Sequence, residues 1–459
     1  MRPFAAALYL LSLSAALPAA AQDEIFRVYT EHPRLFLRPQ RLRLLKREHE
    51  RQSMRWEQLN RLLRGGLDMP EPGFVWALDY QVTGDAAAAK KAVEWALGAT
   101  GATDLRQLAL VFDWCQDALT APQRASLAAK IRSLLAQPPR IATLPVWRGR
   151  ILAAIAIAET DPEFTETLLR EAVTQWWRKD FAPELGTPAA YIDGGDVFPL
   201  AEILHAVRDN LNIDLREARI EWFEKLPAYH VASHYPAPYP AAENEYRIPA
   251  FIGKGEPDLN GAALSRAAGF ALVAYDNNAT PSQFLQGWLI QDRFLLRGAF
   301  GSPYEFLWAN PYQPGLSYMH LPLVFHDNST GALFIRATWE ENSPWFGVVA
   351  GQRQLFHDGA VTVLNGKLQR VDPFDLGPAA VVFASGGATF PAGHQSIFVV
   401  GLKPGAAYEV ETDDEEMREL RTDIGGTLEI KFPKARDARV RIRRSSAIGE
   451  LEEATHESR

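Results

Sequence analysis

A chain of 459 residues, 47% hydrophobic and 23% charged, exceeds what one hydrophobic core usually holds, so two unequal domains are expected and long disorder is excluded. The formal net charge of −8 comes without a basic block, which excludes a nucleic-acid footprint. Cys115 is the single cysteine, so no intramolecular disulfide forms; in an apolar helical pattern it reads as a buried small hydrophobe.

Arg2, the apolar run 4–17 and Ala19-Ala20-Ala21 have the layout of an export signal. Cleavage is expected near Ala21, giving an exported protein, periplasmic or secreted. No later stretch reaches spanning length, so no membrane span is expected. A short extended lead-in, His32-Pro33-Arg34-Leu35-Phe36-Leu37, precedes one long basic helix that starts near Pro39, continues to about Arg64 and ends at Gly65-Gly66. Apolar residues then recur at helical spacing over 73–82, 85–97, 105–119, 122–135, 147–159, 163–177, 197–211, 215–229, 259–275 and 281–296, with short Gly, Asp, Thr or Pro signals between them. That pattern spells helical hairpins, and 22–300 is expected to form an incomplete α/α toroid. Two irregular breaks, 181–195 and 235–257, interrupt it and are candidate functional loops.

Residues 304–326 are rich in aromatics and proline, and 301–326 is assigned as the junction between two architectures. Trp308, Tyr312, Tyr318 and His320 there offer stacking faces with polar tips, which suit sugar rings. After the junction, strand-type runs alternate with turns at 333–339, 345–350, 354–357, 361–364, 380–384, 396–402, 408–412, 428–432 and 440–443. They read as an antiparallel β-sandwich over 327–446, followed by a charged tail, 447–459. The fold class is therefore α+β multidomain.

Three stretches carry a family resemblance. Leu110-Val111-Phe112-Asp113-Trp114-Cys115-Gln116-Asp117-Ala118-Leu119-Thr120 with Gln123-Arg124 resembles the YDW-x-x-D-x-L-T-x-x-Q-R helical hairpin of heparinase II/III-like proteins. His32-Pro33-Arg34-Leu35-Phe36-Leu37 resembles the start of their catalytic chains, and Leu323-Val324-Phe325 through Gly331-Ala332-Leu333-Phe334-Ile335-Arg336 and Trp339 resembles the opening of their β-sandwich. The resemblance implies an exported lyase-like protein that cleaves a uronic-acid polysaccharide by β-elimination in the cleft between toroid and sandwich. Such chemistry needs a group that neutralises the uronate, a base and an acid. The sequence departs from the family at 144–150, which contains no Asn or His, leaving Arg148 and Trp147 as binding contacts. It departs again at 352–359, where only His357 and Asp358 remain of a His/Asp cluster. Those two are too few for a metal site, so no metal and no cofactor are expected, and His357-Asp358-Gly359 reads as a hairpin turn.

The candidate chemistry lies in the two breaks. In the first, Tyr191 resembles the family's acid/base tyrosine, while Asp196 reads as the cap of the next helix. Around the second, over 229–247, His234 is the natural base or shared acid/base because its imidazole titrates near neutrality. Tyr235 or Tyr246 would be its partner, Arg247 a neutralising cation and Glu243 a binding contact, joined by Trp308, Tyr312 and His320 from the junction. The expected partner is an acidic polysaccharide or oligosaccharide, with no nucleic acid. Two alternatives stay open. One is a glycoside hydrolase that uses paired carboxylates from the two loops; the other is a non-catalytic carbohydrate-binding or envelope scaffold protein descended from a lyase.

Overall fold

The computed structural model describes residues 24–98, 103–187, 192, 195–238, 247–253, 256–292, 298–364, 370–414 and 416–445. Residues 1–21 and 447–459, expected from the sequence to be an export signal and a charged tail, lie outside the described residues. No described helix is long and apolar enough to cross a membrane.

The first helical stretch is two helices rather than one, α1 (Pro39–Glu50) and α2 (Met54–Arg64). Gln52 between them has a positive φ of 50°, and the Ser53 side chain then caps α2 by accepting from the Trp56 amide. Hairpins follow. α3 (Pro72–Thr83) pairs with α4 (Ala86–Leu97), α5 (Leu105–Trp114) with α6 (Ala121–Leu135), and α7 (Leu144–Ala156) with α8 (Pro162–Glu171). A π-helical stretch, Ala172–Phe181, and the single turn α9 (Ala182–Glu184) extend α8. α10 (Val197–Leu211), α11 (Ile220–Ala232), α12 (Leu259–Tyr275), α13 (Thr280–Gln291) and α14 (Gly298–Trp308) complete the set. Asp85, Asp104 and Asp161 cap their helices, and Thr120 with Gln123 forms a capping box. Asp196 occupies the N-cap position of α10 without a side-chain bond to its first turn, so the expected carboxylate cap is not made.

α3, α5, α7, α10, α12 and α14 pack side by side in that order as an inner row, with the other hairpin arms outside. Inner helices are buried on nearly every side, as in α7, where Gly149 to Ala156 are all buried. The row does not close through a further hairpin. α2 packs on α14 and α1 on α3, so the first helical pair bridges the ends of an incomplete α/α toroid. α14 takes the first part of the sequence-assigned junction into the helical core, where Tyr304, Phe306, Leu307 and Trp308 are buried.

The β region has thirteen described strands, the nine read from sequence and four others. β1 (Val324–Asp327), β2 (Ala332–Arg336), β3 (Trp345–Val349), β4 (Gln352–His357) and β5 (Ala360–Val363) form one antiparallel sheet in chain order. β6 (Arg370–Asp375), β7 (Ala380–Phe383), β8 (Ala388–Pro391), β9 (Ser396–Val400), β10 (Ala407–Thr412), β11 (Glu416–Arg421), β12 (Thr427–Lys431) and β13 (Arg439–Arg444) make two more, ordered β12-β9-β7-β6 and β11-β10-β13-β8. Pairing is antiparallel except between β7 and β9, which run parallel. The two later sheets form the sandwich, and the first sheet adds a third layer. Alternation along β9 explains the stacking: Ile397 and Val399 enter the core shared with β10 and β13, while Phe398 and Val400 enter the core shared with β2 and β3. The outer face of the first sheet, with Phe334, Trp345 and Phe356, packs on Tyr235, Ile248, Ala250 and Ala262 of the helical region. The β4–β5 connection is the expected hairpin turn, with Asp358 and Gly359 both at positive φ, 49° and 74°.

Candidate functional site

Where α11 meets the first sheet, a cavity of about 340 Å³ opens between the helical and β regions. α11 presents Lys225 and Tyr229 to it, β1 presents Phe325 and Asp327, and Ala350 and Gly351 close it from the β3–β4 turn. Lys225 Nζ lies 2.9 Å from Asp327 Oδ1. Burial works against ionising Asp327, but hydrogen bonds from Lys225, Ser329 and Thr330 outweigh it and hold the carboxyl below the usual range. Thr187 and Ile192, which flank 188–191 in the chain, both line this cavity.

A small chamber of about 10 Å³ adjoins it, sharing Ile192, Val197, Tyr229 and Val349 with the larger space and adding His230, Ser233, Ser265 and Ala250. The two breaks thus converge, since Ile192 of the first and Ala250 of the second line the same chamber. His230 Nε2 and Ser265 Oγ are both buried without a hydrogen-bond partner among the described residues. The chamber is on the scale of one water, about 10–15 Å³. Burial first, then the Arg266 charge, push the His230 imidazole down to about 3, so it is neutral at ordinary pH.

The residues expected to work in the second break are mostly engaged in the interior. His234 is buried, its Nδ1 2.5 Å from the His230 carbonyl oxygen and its ring 4.8 Å from that of Trp288. Burial and then the neighbouring His230 hold it well below the usual histidine value. An imidazole so placed is not the solvent-facing base that the sequence suggested. Tyr235 is fully buried, stacks on Phe356 at 5.5 Å and donates its hydroxyl to Gln354 Oε1 at 2.8 Å. Arg247 is buried and paired with Asp292 at 2.7 Å, so its charge is not left for a uronate. Tyr191, Glu243 and Tyr246 lie outside the described residues.

The binding contacts from the toroid and the junction do not share one cleft. Trp147 is buried, stacked on Trp176 at 4.9 Å. Trp308 is buried between Phe36 and His205 at the far end of the helical region. Tyr312 is exposed there and donates to Glu48 of α1, Tyr318 is buried against Trp339, and His320 is exposed. The junction stretch was read as a single surface, but one part of it is helical, so its aromatics face different ways.

Arg148 belongs to a network that the sequence reading missed. Its Nη1 lies 3.2 Å from Glu202 Oε2, and the same carboxylate takes a two-pronged bond from Arg106 at 2.8 Å on each prong. Arg106 also reaches Glu71 at 3.2 Å, and the Tyr304 hydroxyl donates to Glu71. Burial opposes the charge on Arg106, but Glu202 and Glu71 raise its value well above the ordinary one. Two cations and two anions balance inside the inner row, so this is internal pairing and not a vacant uronate clamp. The signal was in the sequence: Arg106 and Glu202 are charged residues at positions that helical period assigns to the core.

No protein-family model matches the chain, and no curated protein matches it. Among solved structures, heparan sulfate lyase HepC from Pedobacter heparinus is similar at 13% identity and a TM-score of 0.39, covering 81% of this chain and 75% of that one. A mutant of that lyase is similar at 12% identity with the same score and coverage. A protein titled glycoside hydrolase is similar at 10% identity and a TM-score of 0.34, covering 82% of this chain and 71% of that one.

Proposed function

We propose that the chain cleaves a uronic-acid-containing polysaccharide by β-elimination, with the junction cavity as the place where the sugar is held. The observation that carries the reading is the cavity itself: it lies between the helical and β regions and carries a cation, Lys225, on its wall. Lys225 is the group that meets the uronate carboxylate, exchanging part of its pairing with Asp327. Tyr191 is the acid/base of this reading, supported by its place in the chain between Thr187 and Ile192, which line the cavity. Cationic surroundings are what a tyrosine needs to serve as a base near neutrality. Neutral His230, with Ser265 beside it, holds the water-sized chamber behind the sugar and acts as a positioning residue.

Hydrolysis is less well supported, because it needs two carboxylates across the scissile bond. Among the described residues, Asp327 is the one carboxylate that lines the cavity.

The test is ultraviolet absorbance of unsaturated uronate while the mature protein is incubated with a panel of uronic-acid polymers. A rise with one polymer, lost in Tyr191→Phe, supports the reading. New reducing ends without the absorbance replace elimination by hydrolysis. Binding without either product leaves a carbohydrate-binding protein and overturns the catalytic reading.

A further inference from the structure

At the other end of the inner helices lies a larger cavity, about 770 Å³. α10 relates the two spaces: Val197, its first residue, lines the junction cavity, whereas Arg208 and Asp209, near its end, line this one. Val197 and Arg208 are 11 positions apart on the helix, about 17 Å at 1.5 Å per residue, so the two cavities are separate.

The charge in this distal cavity is one-sided. Arg38, Arg41, Arg43, Arg47 and Arg208 line it against one carboxylate, Asp209. Part of that charge is engaged. Arg38 and Arg208 both reach Asp209, at 3.0 and 3.1 Å, and Arg208 also donates to the Tyr275 carbonyl oxygen at 2.6 Å. Arg41 donates to the carbonyl oxygens of Leu307 and Trp308 at the end of α14. Arg43 and Arg47 remain. They stand four residues apart on one face of α1, both exposed, and make no ion pair among the described residues. His205, on the same wall, is held well below its usual value by burial and then by Arg41, Arg208 and Arg38, so it stays neutral and adds no charge of its own.

The rest of the lining narrows the ligand. Leu44, with the edges of the buried Phe36 and Phe270, makes the wall apolar, and Asn277, Gln286 and Asn310 add amides. Of these, Gln286 Nε2 already donates to the Asn310 and Gln313 carbonyl oxygens, and Asn310 Oδ1 accepts from the Tyr312 amide. A simple anion would use the arginines and leave most of this space unfilled. An acidic sugar matches the whole lining, with carboxylates for the arginines, hydroxyls for the amides and ring C–H faces for the apolar wall. We propose that the distal cavity is a second ligand site, which takes a short uronate oligosaccharide through Arg43 and Arg47. This assignment rests on the distal lining alone and stands or falls separately from elimination at the junction.

The experiment is calorimetric titration of the mature protein with three short uronates: trigalacturonate, trimannuronate and a hyaluronan tetrasaccharide. Maltotriose and inorganic phosphate form parallel arms. The same titrations are run on Arg43→Ala/Arg47→Ala, which removes two exposed side chains and whose melting temperature checks that it folds, and on Lys225→Met at the junction. The expected result is saturable binding of at least one uronate, weakened by about tenfold or more in the double arginine variant. The component of binding that the double arginine variant loses is retained in Lys225→Met, which removes only a junction component, and maltotriose gives neither. Phosphate binding as strong as the uronate would show a simple anion site and overturn the saccharide assignment. Unchanged uronate affinity in the double variant would place the ligand elsewhere, and no binding of any of the three uronates would remove the site.

Discussion

Lys225 Nζ and Asp327 Oδ1 stand 2.9 Å apart across the seam between α11 and β1, so one ion pair ties the helical region to the β region at the wall of the junction cavity. Lys225 is about half exposed, while Asp327 is buried but keeps its bonds from Ser329 and Thr330, so losing the lysine is expected to cost about 1 kcal/mol rather than the several of a fully buried pair. Lys225→Met is therefore expected to lower the urea midpoint only modestly while reducing formation of unsaturated product by about tenfold or more, because a uronate without its cation resists proton loss. Equal activity in the variant would remove Lys225 from the chemistry.

Glu202 is expected to behave in the opposite way. It is fully buried and takes three bonds from Arg106 and Arg148. Glu202→Ala leaves Arg106 buried with only Glu71 beside it, a loss of about 3–5 kcal/mol. Chemical denaturation measures it, and a change below 1 kcal/mol would mean that water reaches the network.

Gly287 of α13 sits against the backbone of 315–316. A Cβ there would lie 1.8 Å from the Leu316 carbonyl oxygen, and backbone cannot rotate aside as a side chain can. Leu316 is fixed in that position by its amide bond to the Gln283 carbonyl oxygen at 2.9 Å. Gly287→Ala is expected to cost about 3 kcal/mol or more despite the gain in helix propensity. A variant as stable as the parent would show that the loop yields.

His326 sets a pH dependence. Its ring lies 3.0 Å from Asp423 and 3.5 Å from Glu429. Burial lowers its value, but the bonds to those two carboxylates outweigh burial and raise it. Such a raised histidine contributes stability that is full below about 6.5 and fades as pH rises through the folded value. Glu429, lowered chiefly by its bond to His326, contributes above about 4.3 and fades as pH falls through its folded value. The cluster is most stabilising between those limits. The urea midpoint should fall from pH 6 to pH 8, and His326→Gln should fall less. A remaining drop is expected from His32, which is also raised, through Asp113 and Glu159. An identical fall in both proteins would exclude His326 as a source.

Helical and strand periods made the architecture legible, because burial on one face or on all faces leaves a repeat in the residues themselves. The α1–α2 break was not legible: Gln52 adopts a positive φ with no glycine to announce it. β1, β6, β8 and β11 were missed because they are short or carry many polar residues. The tight turn at Asp358-Gly359 could be read, since its dipeptide is specific to that geometry. The site was harder. Sequence reading weighs a polar residue by its chemistry, but only the fold says whether the group is already engaged. Tyr235, Arg247 and Arg148 have the right chemistry and are tied to Gln354, Asp292 and Glu202. Lys225 drew no notice because a lysine in an amphipathic helix looks like solvent-facing charge.

The central sheet of the β region has no face of its own for water. Val382 and Ile397 point into one core, Val381 and Phe398 into the other. A nascent chain that has made β7 and β9 therefore exposes two sticky surfaces until layers from either side arrive. The first sheet precedes it in the chain and is ready to cover one. β10 and β13, which cover the other, come last. A chain that stops before residue 407 would leave half of that sheet bare, so late truncation is expected to yield aggregated material rather than a smaller folded protein.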